Sequence, residues 1–191
     1  MSPKFIWALI GVLFFGCSPT PQSKTFLTGG DSRDLILVSI DTLRASRLSF
    51  YDSLYTSPRQ NLEGEAEDDF TLSWLFKNGT VYSNVWASSG KTLPSLASFF
   101  TGLTTFEHGA LSNTMRVLKP TMVADWKDAG GRAHARVANR ALHPFCGLKE
   151  GFDSYGVRAK ANEPNLGGEL VNAATPDIKD NKRLLLWAHF M

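Results

Sequence analysis

Two stretches of this sequence place an oxygen where chemistry can use it. In "KTLPSLASFFTG", residues 91–102, Thr92 leads an apolar run that closes at Gly102. Asp41 directly follows "DLILVSI", residues 34–40. A carboxylate just past a buried strand stands where open α/β sheets place their ligand crevice, and it can hold a cation there. The simpler reading of the same residue is a cap on the next turn. A hydroxyl at a helix start lies among unpaired N–H groups at the positive end of the dipole, which suits a bound anion. Its simpler reading, which also serves for Ser95, is a cap on a core helix. Pro94 suits the first helical turn, where its missing N–H costs nothing. Leu96, Phe99, Phe100 and Leu103 follow at helical spacing and predict the buried stripe of that helix.

The elements that must position these groups are legible as alternating patterns. Residues 34–40 form a continuously apolar, partly β-branched run, which predicts a strand buried on both faces of a parallel sheet. "RLLLWAHF", residues 183–190, has the same character and predicts a second central strand. Weaker strands are predicted at 80–87, "TVYSNVWA", and at 133–138. Helical patterns fall at 70–77 before Asn78-Gly79, at 94–101 before Gly102, and at 120–129 before Gly130-Gly131. Strands alternating with helices imply an α/β layered domain. The acidic run at 63–69, "EGEAEDD", reads as a solvated loop, with ion binding as the lesser alternative.

Composition bounds the rest. With 191 residues, 43% of them hydrophobic, the chain can bury a substantial core. A net charge of +2 with scattered basic residues gives no nucleic-acid footprint. Near the amino terminus, Lys4 precedes the apolar run "FIWALIGVLFFG" and then Cys17. That run is short for a bilayer span but suits a secretory signal. Gly16-Cys17 resembles a bacterial lipoprotein cleavage site, with Cys17 the lipidated residue; an uncleaved anchor or a plain signal peptide are the alternatives. Residues 1–17 are thus read as a leader, 18–33 as a Ser/Thr/Pro/Gly-rich tether, and 34–191 as the folded domain, exported to the bacterial envelope and held to a membrane by lipid. With Cys17 so used, Cys146 has no intramolecular partner and a disulfide scaffold is not expected.

Taken in order, "LILVSIDTLRASRL", "NGTVYSNVWASSGKTLPSLASFFTGLTTFEHGA", "MVADWKDAGGRAHARVANRALHPFCGLKEGFDSYG" and "RLLLWAHFM" resemble the amino-terminal half of the sulfatase family, within the alkaline phosphatase superfamily. The most specific part is the nucleophile signature, Cys or Ser followed by x-Pro-Ser-Arg and ending in Thr-Gly. Here it reads Thr92-Leu93-Pro94-Ser95-Leu96 through Thr101-Gly102. The resemblance implies an alkaline phosphatase-like fold, truncated here: a mixed, mostly parallel central sheet flanked by helices. It implies that Asp41 is a ligand of a divalent metal (Ca, Mg or Mn) and that Thr92 holds the nucleophile position. Arg44 and His189 have possible supporting roles, and His108 in "EHG" is structural. His134 and His143 match no motif and are expected as ordinary surface or satisfied histidines.

Departures from the family shape the expected chemistry. Sulfatases use a formylglycine made from Cys or Ser. No formylglycine is expected from Thr92, whose β-carbon already carries a methyl group. An unmodified hydroxyl would attack directly and leave a covalent ester, which turns over readily for phosphate and poorly for sulfate; the substrate class tilts toward phosphate or phosphonate esters. Leu96 replaces the arginine of the signature. Thr42 and Ser46 stand where relatives carry acids, so the metal site is poor in charge. Relatives also continue past "HFM" into Asp-Pro-His and later metal ligands, so the resemblance implies that the 191-residue chain is inactive or incomplete and leaves residues 183–190 without some neighbouring strands. Three readings follow: a metal-assisted hydrolase of sulfate or phosphate esters, a transferase moving a phosphoryl-linked head group onto an envelope lipid or glycan, and a non-catalytic surface lipoprotein.

Overall fold

A computed structural model describes residues 34–44, 48, 72–82, 84–158 and 165–191 of the chain. The leader at 1–17 with Cys17, the tether at 18–33, Ser46 and the acidic run at 63–69 lie outside the described residues. Among the described residues no helix is long and apolar enough to cross a membrane.

The architecture is α/β. Among the described residues four strands, β1 (Leu35–Ile40), β2 (Arg132–Val137), β3 (Ser154–Val157) and β4 (Leu184–Phe190), form one sheet in the order β1-β4-β2-β3. Every pairing is parallel. The helices are α1 (Leu72–Asn78), α2 (Thr92–Thr101), α3 (Thr105–His108), α4 (Met122–Asp128) and α5 (Leu166–Lys179). Two short 3-10 turns, Arg140–Leu142 and Pro144–Cys146, follow β2.

β4 is interior, as its unbroken apolar run predicts, and Trp187 at its centre is fully buried. β1 departs from the expectation of a strand buried on both faces. It pairs only with β4 among the described residues and leaves Ile36 and Val38 more than half exposed. The apolar edge expected beside residues 183–190 is therefore the edge of β1, one strand away. Residues 80–87 also differ from the sequence-based expectation. The described ones form no strand and Tyr82, Val85 and Trp86 are exposed, because β propensity without a pairing partner does not hold a strand.

Helix α2 turns a different face inward than its apolar residues suggest. Leu93, Pro94, Ala97 and Phe100 are buried, while Phe99 is 55% exposed and Leu96 and Leu103 are half-buried. The buried stripe begins in the first turn, and it brings that turn against the strand ends. α2 ends at Gly102 in the left-handed conformation, with its N–H returning to the Ser98 carbonyl. α5 carries Gly167, Gly168 and Pro176, which mask its helical pattern, yet Leu166, Leu170 and Ala174 at four-residue spacing are buried.

The amino ends of the strands are held by charge. Asp153 accepts the Ala133 N–H at 2.9 Å, the Arg132 guanidinium at 3.0 Å and the Lys127 ammonium at 3.3 Å. Burial pushes its carboxyl upward, but these donors outweigh it and hold the group below its usual range. A carboxyl held low in the folded state stabilises at pH values above its unfolded value and loses that contribution as pH falls through the folded one. Asp153→Asn is expected to cost about 1–2 kcal/mol at pH 6. The gap to the parent should close below about pH 4. Urea midpoints of both proteins at pH 6 and pH 3 check this, and a gap equal at both pH values would remove Asp153 from the acid response.

Candidate functional site

The carboxyl ends of three adjacent strands meet at one place. Asp41 follows the last residue of β1, and its N–H donates to the Phe190 carbonyl at 2.9 Å. Asn139 lies two residues past β2, where the Ala138 N–H donates to the His189 carbonyl. His189 is in β4, in register with Ser39 of β1 on one side and Val137 of β2 on the other. Because paired residues of parallel strands share a face, this register brings Ser39 and His189 side by side.

Thr92 enters from α2. It is the first residue of the helix rather than its cap, and the cap position, Lys91, makes no side-chain bond. Its hydroxyl donates to Asp41 Oδ2 at 2.8 Å. The capping reading of Thr92 is thus corrected: the Leu93 N–H is taken by Asn113 Oδ1 at 3.0 Å, which leaves the Thr92 hydroxyl for Asp41. Asp41 is corrected likewise, since its carboxylate reaches across to α2 and Asn139 instead of capping its own turn.

Asn139 completes a triangle. Its Nδ2 donates to Asp41 Oδ2 at 2.9 Å and lies 3.3 Å from Thr92 Oγ1. Its Oδ1 accepts the Ala141 N–H at 2.9 Å, at the start of the first 3-10 turn. That bond fixes which end of the amide faces the site: the donor end does. Neither Asn139 nor Ser39 is among the residues singled out by sequence. A signal exists for each. Asn139 directly follows the strand predicted at 133–138 much as Asp41 follows the one at 34–40, and Ser39 is a lone hydroxyl in an apolar strand.

His189 is 2% exposed, and its Nε2 lies 3.6 Å from Asp41 Oδ2. That distance is an electrostatic contact and too long for a hydrogen bond. On the other side of the ring, Nδ1 is 2.9 Å from Ser39 Oγ, which also accepts the Trp187 indole N–H at 2.9 Å. Burial holds the imidazole below its ordinary pKa, with the Asp41 carboxylate offsetting part of that, and so favours the neutral ring. Arg44, the other supporting candidate, is exposed and takes no part in the hydrogen bonding of the cluster. Thr42 turns the chain just past Asp41 with φ 56°, a left-handed backbone that a β-branched residue adopts at a cost of about 1–3 kcal/mol.

The remaining histidines are structural. His108 is fully buried; Nδ1 accepts the Ala110 N–H, which leaves Nε2–H to donate to Ser98 Oγ and tie α3 to α2. His134 is buried and not a surface residue; its Nε2 donates to Asp177 of α5 at 2.9 Å, while its Nδ1 has no hydrogen-bond partner among the described residues, so it is only half satisfied. His143 is exposed, and its Nδ1 accepts the Phe145 N–H. Cys146 is buried and free, and desolvation raises its thiol pKa.

Among the described residues the donor set falls short of what a hard divalent cation takes. Such an ion takes six or more oxygens. Among the described residues the cluster offers one carboxylate and one hydroxyl, and no group of three or more His, Cys, Asp or Glu side chains assembles to hold a metal. Asn139, with its oxygen engaged by Ala141, turns N–H toward the place where a cation would lie. What the cluster can do by itself is hold a hydroxyl against a carboxylate that accepts its proton, the geometry of an activated nucleophile. No family model, curated protein or solved structure matches the chain, so its likeness to the sulfatases rests on the motifs quoted above.

Proposed function

We propose that this centre cleaves phosphate or sulfate esters through Thr92, as the sulfatase resemblance suggests, with phosphate diesters or phosphonates the favoured substrates. The observation that carries the reading is the 2.8 Å hydrogen bond from the Thr92 hydroxyl to the Asp41 carboxylate. It lies at the carboxyl ends of parallel strands, where α/β sheets bind their ligands.

The step balances within this chain's own groups. Thr92 Oγ bonds to phosphorus, its proton passes to the Asp41 carboxylate, and the bond from phosphorus to the leaving oxygen breaks with departure of the alkoxide or aryloxide. Asp41 releases that proton to solvent; water then attacks the phosphorus of phosphorylated Thr92 and passes a proton to the Asp41 carboxylate, the bond from phosphorus to Thr92 Oγ breaks, and the same proton returns from Asp41 to that oxygen and restores the Thr92 hydroxyl. The amide of Asn139 holds the carboxylate toward Thr92 throughout. Calcium, magnesium or manganese, which the resemblance assigns to Asp41, enters none of these steps.

The test is to quench the chain in acid after mixing with a bis-nitrophenyl phosphate and to weigh the peptide that contains Thr92. An aryl leaving group departs without an acid, so the first step needs no residue outside the cluster. A mass gain on Thr92 matching the retained nitrophenyl phosphoryl group is expected. Nitrophenol release without an adduct at Thr92 would overturn the assignment. Release that appears only with added calcium, magnesium or manganese would return Asp41 to the metal-holding role.

A further inference from the structure

Among the described residues the buried ring of His189 presents Nε2 with no hydrogen-bond partner, 3.6 Å from Asp41 Oδ2, the oxygen to which the Thr92 hydroxyl donates. A buried polar nitrogen left unpaired is costly, and at the carboxyl edge of a sheet the natural partner is an atom of a ligand. What Nε2 carries is decided on the far side of the ring. The Trp187 indole N–H is a donor only, so Ser39 Oγ accepts from it at 2.9 Å. Among the described residues the Ser39 O–H has no acceptor other than His189 Nδ1, 2.9 Å away, so it points there and makes Nδ1 an acceptor. In a neutral imidazole the proton is left on Nε2. Trp187 and His189 are two residues apart in β4, and Ser39 is the register partner of His189, so all three share one face of the sheet. Full burial of Trp187 against Phe100 and Phe152 leaves the anchor of the chain no room to turn.

We propose that the Trp187–Ser39–His189 chain fixes His189 as its Nε2–H tautomer, and that this N–H donates to a non-bridging oxygen of a tetrahedral oxyanion ester held at Thr92. Ser39 and Trp187 are positioning residues, and His189 is the group that touches substrate. The identity of the oxygen rests on the ester-cleaving reading; the tautomer does not. A neutral N–H suits this place because it adds a donor for the oxyanion without forming an ion pair with Asp41 that would close the site.

Long-range proton–nitrogen NMR on the chain carrying nitrogen-15 histidine reads the tautomer directly, and inorganic phosphate serves as the oxyanion probe. The expected result is a protonated Nε2 with an acceptor-type Nδ1 for His189, and a saturable phosphate-dependent shift at Nε2. In Ser39→Ala the single tautomer should give way to a mixture. His189→Gln, whose amide N–H reaches the place of Nε2, should bind phosphate within about threefold of the parent, and His189→Asn about tenfold or more weaker. A wild-type ring protonated at Nδ1 would overturn the relay, and so would a tautomer that ignores Ser39→Ala. A His189 nitrogen that phosphate does not move would overturn the donor assignment. Failure of the ester reading shows separately, as absence of a Thr92 adduct with the tautomer intact.

Discussion

Thr92→Ala should lower nitrophenol release by about a thousandfold or more, since losing the nucleophile of a covalent mechanism removes the whole first step. Thr92→Ser keeps a hydroxyl on the same helix turn and should stay within roughly tenfold of the parent. Asp41→Asn should lose about 10²- to 10⁴-fold, the usual contribution of a general base. The structural cost of these changes is small by comparison. Thr92→Ala deletes one hydroxyl-to-carboxylate bond, worth about 1.5–3 kcal/mol. Asn139 still donates to Asp41, so part of that contact survives. In Asp41→Asn the side-chain oxygen can still accept from Thr92 and Asn139. Initial rates and urea midpoints measured on the same preparations separate chemistry from folding. Variants that lose stability while releasing nitrophenol at the parental rate would show that the triangle of Asp41, Thr92 and Asn139 is only a clamp between α2 and the sheet.

The largest expected effect on folding lies at Trp187. Its ring is fully buried, 4.7 Å from Phe100 between centroids, with Phe152 stacked at 6.0 Å and Tyr155 at 6.2 Å. The cluster joins α2 to β4 and to β3 with its preceding turn, so it spans much of the described core. Trp187→Ala should cost about 3–5 kcal/mol. That is a large share of the roughly 5–15 kcal/mol by which domains are stable. The melting midpoint should fall by about 6–20 °C, at about 2–4 °C per kcal/mol for a chain of this size. Trp187→Phe retains an aromatic ring and should recover most of the loss, while leaving Ser39 Oγ without its indole donor. A melting midpoint for Trp187→Ala within about 2 °C of the parent would mean that this cluster is not the centre of the core.

Both variants bear on how the site is supported. Trp187 packs against Phe100 of the helix that carries Thr92, and it hydrogen-bonds Ser39 beside His189. Core packing and site geometry therefore share one side chain. Loss of the ring should loosen α2 against the strand ends at which Asp41 and Asn139 are set.

The local patterns of the chain suffice for the class of fold and for two members of the site. Unbroken apolar runs mark β1 and β4, the Gly-terminated apolar run marks α2, and the residues at their ends, Asp41 and Thr92, are chemically conspicuous. Local pattern is less informative for α5, because glycines and a proline interrupt a helix whose stability comes from burying Leu166, Leu170 and Ala174. It misleads at residues 80–87, where strand-forming residues have no partner, and on α2, where Phe99 looks like core and points to solvent. Only the tertiary structure brings Asp41, Thr92, Asn139 and His189 together. They come from four elements separated by as many as 148 positions, and their proximity depends on strand order and register, which are properties of pairing between distant segments. The same holds for the tautomer of His189: Ser39 and Trp187 become its neighbours because β1 and β4 lie parallel in one register, and no spacing along the chain encodes that contact.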